Sequence, residues 1–296
     1  MIDATALNDF RLCPEFYRLR HRKGLVWPGR EEAPAAGQAW HEAMKVWFHN
    51  SGHKTALDTL RQAWGEEPPL IEGQKVKRPL SLFEMLLEVY CEKYPREDDP
   101  FEVVKNEEYV EGAFPDTDMY PVCDFCYCGI IDRLIHMNGQ NYAMDAKTTS
   151  AYLSDGFFHN FELSQQMLGY VALELVNGRE CAGYYIDAVH IDTRYHKAKP
   201  EHCVRYGPIQ VPEWRLSEWA RMTERTIKQI EWFEINVGPN EPWVRNDHAC
   251  FKWNKPCPFF YAPGGKFPGI CREAPELRED LMGEYDISFW NPKERK

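Results

Sequence analysis

The stretch CYCGIIDRLIHMNGQNYAMDAKTT, Cys126 to Thr149, decides how this chain folds. It reads as two strands of β-branched and aromatic residues on either side of Asn138-Gly139, a dipeptide that tolerates the positive φ angles of a tight hairpin. Twelve residues separate Asp132 from Asp145, enough for an antiparallel hairpin to bring the two carboxylates together. Asp145 and Lys147 are two apart along the second strand, so both point to one face. The apolar residues around them, in GIID and YAMDAK, mark interior strands. Two close carboxylates repel each other unless a hard cation lies between them. Mg²⁺ prefers such oxygen ligands and uses few of them, leaving room for phosphate and water. Lys147 can orient an attacking water or offset charge developing on a phosphate. Metal-assisted hydrolysis of a phosphodiester is the chemistry these residues predict.

Outward from the hairpin, the chain changes character at Phe101. Before it the pattern is helical. A helix is expected over 5–22, with Thr5 as N-cap and Pro14 breaking the run or opening a second turn. Another is expected over about 35–49, where Trp40, Met44, Trp47 and Phe48 recur on one face. Residues 54–64 and 80–94 also read as helices, separated by a Pro/Gly/Lys-rich connection at 65–79. After Phe101 come the strand-like FEVVKNEEYVEGAF, the hairpin, a helix over about 161–177 closed by Asn177-Gly178, and the strand-like CAGYYIDAVHI. A helix over about 213–235 leads into a Cys/Pro/aromatic-rich tail. The expectation is one domain over 1–296: a mainly helical region 1–100, an α/β core 101–212, and a helix and tail 213–296.

Composition narrows the class. Of 296 residues, 44% are hydrophobic and 27% charged, ordinary values for a globular protein. No apolar run approaches the roughly 20 residues that span a bilayer, and MIDATALNDF lacks the features of a secretory signal. A cytoplasmic protein is expected, without a membrane partner. In that reducing compartment ten cysteines point to metal ligation or burial rather than disulfides. The net charge of −11 opposes a nucleic-acid binder. A carboxylate metal site accounts for part of it, and binding depends on local patches such as Arg18, Arg20, His21, Arg22, Lys23 or Lys75, Lys77, Arg78.

Several ordered motifs together resemble the PD-(D/E)XK nucleases of the RecB type, including CRISPR-adaptation exonucleases and phage-encoded single-domain relatives. Gly37-Gln38-Ala39-Trp40-His41 resembles the family's G-x-x-x-H, Asp132 and Asp145-x-Lys147 its catalytic core, and Gln166 to Tyr170 its Q-x-x-x-Y. The resemblance implies a restriction-endonuclease-like α/β core, a central mixed sheet flanked by helices. It also implies Mg²⁺ or Mn²⁺ held by His41, Asp132, Asp145 and the carbonyl of Ala146, with Lys147 assisting the water. An upstream glutamate often completes such a site. Glu107, Glu108 and Glu111 are candidates, and because alternation lets only one of the first two face the metal, Glu107 is chosen. Gln166 and Tyr170, four apart on one helix face, would contact DNA. Gly37, one turn from His41, would let another segment approach the imidazole.

Many RecB-type nucleases hold an iron–sulfur cluster with one N-terminal and three C-terminal cysteines, positions occupied here by Cys13, Cys250, Cys257 and Cys271. Four thiolates suit a [4Fe–4S] cluster, and zinc fits the same set. The gaps of six and thirteen residues in the C-terminal trio are wider than the family's usual spacing. Cys123, Cys126 and Cys128 have no fourth partner nearby and are read as structural, with Cys126 and Cys128 as small buried side chains. The expected activity is exonucleolytic cleavage of single-stranded DNA or DNA ends in a prokaryote or phage. The alternatives are a structure-specific endonuclease or nickase, and a non-catalytic iron–sulfur DNA-binding subunit. No G-x-x-x-x-G-K-[ST] occurs, so a helicase, recombination or CRISPR-adaptation partner would have to supply unwinding.

Overall fold

Turn chemistry sets the centre of the molecule. In the computed structural model Asn138 and Gly139 both take positive φ, 52° and 78°. The strands they join pair antiparallel from Met137 opposite Gln140 to Arg133 opposite Met144. The structure describes residues 2–27, 32–49, 51–65, 79–114, 125–191, 197–254, 256–261 and 269–291. Lys75, Lys77, Arg78 and Cys123 lie outside them.

In chain order the first elements are α1 (Ala4–Leu12), α2 (Pro14–Tyr17), a π-helical turn at Arg18–Arg22 and β1 (Leu25–Val26). Then follow α3 (Glu32–Phe48), α4 (Gly52–Trp64), α5 (Leu80–Lys93), β2 (Glu102–Phe114), β3 (Phe125–Met137) and β4 (Gln140–Thr149). The remainder comprises α6 (Asp155–His159), α7 (Gln165–Val176), β5 (Gly183–His190), β6 (Cys203–Gln210), α8 (Glu213–Asn236), α9 (Pro275–Met282) and β7 (Asp286–Ile287). The first helix is capped by Asp3 rather than Thr5, its carboxylate accepting from Ala6 N at 2.7 Å. Ser164 caps α7, which is why that helix starts four residues later than its apolar pattern suggests. Strand β6, which carries Gly207-Pro208, was not expected from the sequence. At the edge of the sheet a proline costs no ladder bond.

Five strands form one mixed sheet in the order β2-β3-β4-β5-β6. β4 and β5 are parallel, Asp145 opposite Ile186 and Ala146 opposite Asp187, while β5 and β6 are antiparallel. This is the mixed sheet flanked by helices that the resemblance implies.

Packing divides the chain into two units of discontinuous segments. One comprises Arg30–Gly112 and Gly129–Leu216. Its core joins Trp40, Met44 and Trp47 of α3, Leu60 and Trp64 of α4, and Phe83, Leu87 and Tyr90 of α5 to Tyr142, Met144, Ala146, Tyr185 and Val189 of the sheet. Alternation then leaves Asp145 and Lys147 on the other face of β4. The second unit comprises Met1–Gly29, Ala113–Cys128 and Ser217–Lys296. It brings the chain ends together: β1 pairs antiparallel with β7, and the Glu15 carboxylate accepts from Trp243 N at 2.7 Å. Leu19, Leu25, Phe259, Ile270 and Tyr285 form its smaller core. Among the described residues no helix is long and apolar enough to cross a membrane.

Candidate active site

The ladder between β3 and β4 ends at Arg133 opposite Met144, the residues next in sequence to Asp132 and Asp145. Both carboxylates are buried, Asp145 to 1% exposure. Asp132 Oδ2 accepts from Ala146 N at 2.7 Å and lies 3.2 Å from His41 Nδ1. The Lys147 ammonium lies against Asp145 Oδ2, yet that oxygen makes no hydrogen bond of acceptable geometry. Lys147 Nζ also donates to Gln166 Oε1 at 3.0 Å, and Gln166 Nε2 donates to the Tyr170 hydroxyl at 2.8 Å. His41, Asp132, Asp145, Lys147, Gln166 and Tyr170 are thus one connected group within a single unit.

The electrostatics of the two aspartates diverge. Burial pushes the Asp132 carboxyl up, but His41, then Arg133 and Lys147, outweigh it and hold the group well below the usual carboxylate range. Burial also pushes Asp145 up, and there the nearby Asp132 charge adds to it, so that Asp145 stays raised despite Lys147. Burial works against protonated His41, but Asp132 more than compensates and moves the imidazole upward. Two buried carboxylates therefore share one ammonium and one ionisable ring. Their donor chemistry and the orphaned Asp145 oxygen fit a hard divalent cation, with no ion-sized convergence of three such side chains among the described residues.

Several expected residues stand elsewhere. Glu107 takes a positive φ of 50°, which breaks the alternation used to select it, and its carboxylate pairs with Lys45 Nζ at 3.1 Å, one helical turn beyond His41. Glu108 pairs with Arg179 at 3.3 Å, and Glu111 accepts from the Tyr109 hydroxyl. A Cβ at Gly37 would lie 3.5 Å from Thr148 Oγ1, an ordinary contact, so β4 does approach there without requiring glycine. The glycine that matters is Gly129, where a Cβ would meet Tyr170 Cε1 at 2.7 Å. Tyr170, expected to contact DNA, is only 5% exposed.

The basic run is also corrected in part. Arg18 is 3% exposed and forks onto both Glu15 oxygens at 2.7 Å, so no phosphate can reach it. Arg20 donates to Ser288 O at 3.1 Å, and Arg22 pairs with Glu234. Lys23 is half-buried. The helical turn places successive side chains around the axis, so a run in sequence is not a patch in space.

Cys13, Cys250, Cys257 and Cys271 all belong to the unit that gathers the chain ends. Burial pushes the Cys257 thiol up to about 11 and the Cys271 thiol up to about 12. Neighbouring thiols add to both shifts, Cys13 among them. The four are free thiols, and no three converge on a common ion position. Cys128 is buried as expected, whereas Cys126 is exposed.

The model of the PD-(D/E)XK nuclease superfamily matches residues 2–259. The chain belongs to this superfamily and is a nuclease. Among solved structures it is similar to the "Putative exonuclease" of Eubacterium rectale, with 14% identity, a TM-score of 0.51, and coverage of 83% of this chain and 86% of that one. That likeness shows the fold. The structure of SSO0001 matches at 13% identity over 76% of this chain and 84% of that one, with a TM-score of 0.31, too low to support an argument. No curated protein matches by sequence.

Proposed function

We propose that this protein is a divalent-metal-dependent deoxyribonuclease, acting as an exonuclease on single-stranded DNA or DNA ends from one nuclease domain. The observation that carries the reading is the pair of buried carboxylates, Asp132 and Asp145, with Lys147 and His41 as their direct ion-pair partners. Asp132, Asp145, His41 and the Ala146 carbonyl would hold Mg²⁺ or Mn²⁺. Glu107 would join them only by leaving Lys45. A bound ion supplies Lewis acidity toward the phosphate and lowers the pKa of water. Lys147, tethered between Asp145 and Gln166, would orient the water and offset phosphate charge. Any unwinding would come from a separate helicase.

The test compares end-labelled linear with circular single-stranded DNA, with Mg²⁺, with Mn²⁺ and with a chelator. Loss of linear DNA alone, in metal only, supports the proposal. Cleavage of the circle would make the enzyme an endonuclease or nickase, and chelator-resistant cleavage would remove the metal.

A cluster at Cys13, Cys250, Cys257 and Cys271 belongs to the same reading. Burial raises the Cys250, Cys257 and Cys271 thiols, and Cys13 lies near enough to add to each of those shifts, a grouping of thiols that a bound metal would stabilise as thiolates. Anaerobically purified protein should be brown and lose iron on Cys13→Ser. Stoichiometric zinc would replace the cluster, and metal-free thiols would remove it.

A further inference from the structure

We infer that Gln166 and Tyr170 are positioning residues that fix the Lys147 ammonium, and that α7 contributes this line of hydrogen bonds to the reaction rather than a surface for DNA. The inference rests on the nuclease reading above. The direction of the line follows from chemistry. An ammonium only donates, so the Gln166 oxygen must face Lys147, which turns the Gln166 nitrogen toward Tyr170. The distances, 3.0 Å and 2.8 Å, are those of two good hydrogen bonds. Spacing of four on α7 stacks Gln166 and Tyr170 on one helix face.

The far end of the line is anchored. Tyr170 is buried, and its ring lies over Gly129, leaving no room there for a Cβ. Gly129 precedes Asp132 by three residues on β3, whereas Lys147 is on β4. The line therefore ties the lysine of one strand to the backbone of the strand carrying the other carboxylate. Without it, Lys147 would keep Asp145 as its partner but lose the contact that aims it. A flexible four-carbon stem has several rotamers, and one ion pair does not choose among them. Removing the Tyr170 hydroxyl would leave the Gln166 amide nitrogen without this acceptor and free the amide to turn. An inverted amide would present donors to a donor.

The experiment uses the full chain, with Tyr170→Phe, Gln166→Leu and the double variant. Hydrolysis of end-labelled single-stranded DNA in Mn²⁺ is expected to show kcat lowered about tenfold in Tyr170→Phe, the change one neutral hydrogen bond carries, and at least as much in Gln166→Leu, which also removes the bond to the ammonium. KM and DNA affinity in Ca²⁺ should stay within about twofold. Because the two residues act in series, the double variant should be no slower than Gln166→Leu. A second readout needs no activity: brief acetylation of the metal-free protein, with Lys147 quantified by peptide mass spectrometry. Lys147 should label faster in Tyr170→Phe than in wild type. Weakened DNA affinity with unchanged kcat would overturn the inference and return the motif to DNA contact, and additive losses would overturn it too. If the wild type cleaves no DNA, the nuclease reading fails, and the labelling still decides this inference: equal Lys147 labelling overturns it.

Discussion

Two buried acidic clusters occupy neighbouring positions of one sheet and are compensated in opposite ways. Asp145 and Asp187 lie on adjacent strands, one register step apart and on opposite faces, and each is 1% exposed. Asp187 Oδ2 takes Arg133 at 2.9 Å and the Tyr90 hydroxyl at 2.6 Å. Arg205 bonds the same tyrosine at 2.9 Å and pairs with Asp99, and Arg96 reaches Asp99 at 2.5 Å. The guanidiniums also lie on rings, Arg133 at 4.3 Å from the Phe48 centroid and Arg205 at 4.0 Å from that of Tyr94. Two carboxylates there meet three permanent cations. At Asp132 and Asp145, two carboxylates meet one lysine and one histidine. Planar, always-charged arginines suit a structural network, and the deficit on the other face leaves a place for a metal.

The largest difference should appear in stability. Asp187→Ala removes the carboxylate that Arg133 pairs with in the buried network and should cost about 3–5 kcal/mol, read by denaturant unfolding. Asp145→Ala removes a carboxylate whose charge is disfavoured by burial and by Asp132 and should unfold at the same or higher denaturant. Equal destabilisation by both would erase the contrast. In activity the order reverses. Asp132→Ala, Asp145→Ala and Lys147→Ala should each lower kcat by about 100-fold or more, with folded spectra retained. Substantial turnover by Asp145→Ala would break the site.

Metal should sharpen the comparison further. Mn²⁺ at a hundredfold above its Kd should stabilise the wild type by about 2.7 kcal/mol and leave Asp145→Ala unmoved. Equal stabilisation of both would put the ion elsewhere. The smallest effect is one of pH in chelated protein. The fold raises His41 above the ordinary histidine value of 6.5, so its contribution is complete below that value and fades as pH rises through the raised one. Asp132 is lowered, so its share persists above its ordinary range and is lost only in acid. Melting temperatures from pH 6 upward should fall more steeply for wild type than for His41→Gln. Parallel curves would dissolve the His41–Asp132 coupling.

Short-range features carried most of what the sequence determined. Asn138-Gly139 fixed the hairpin and brought Asp132 close to Asp145, while spacing of two put Lys147 beside Asp145. Spacing of four put Gln166 with Tyr170. Each depends on turn chemistry or on the period of a single element, which a few residues specify. Glu107 was chosen by assuming regular alternation, and a positive φ invisible in the sequence turned it to Lys45. Arg18 looked like part of a surface run until the fold buried it on both oxygens of Glu15. The Asp187 network joins Tyr90, Arg133 and Arg205, bonded members lying up to 115 positions apart. The division into two discontinuous units is likewise absent from any linear reading. These belong to the tertiary structure because a buried charge takes whichever partner the packed fold brings within reach, and residue spacing along the chain says nothing about that distance.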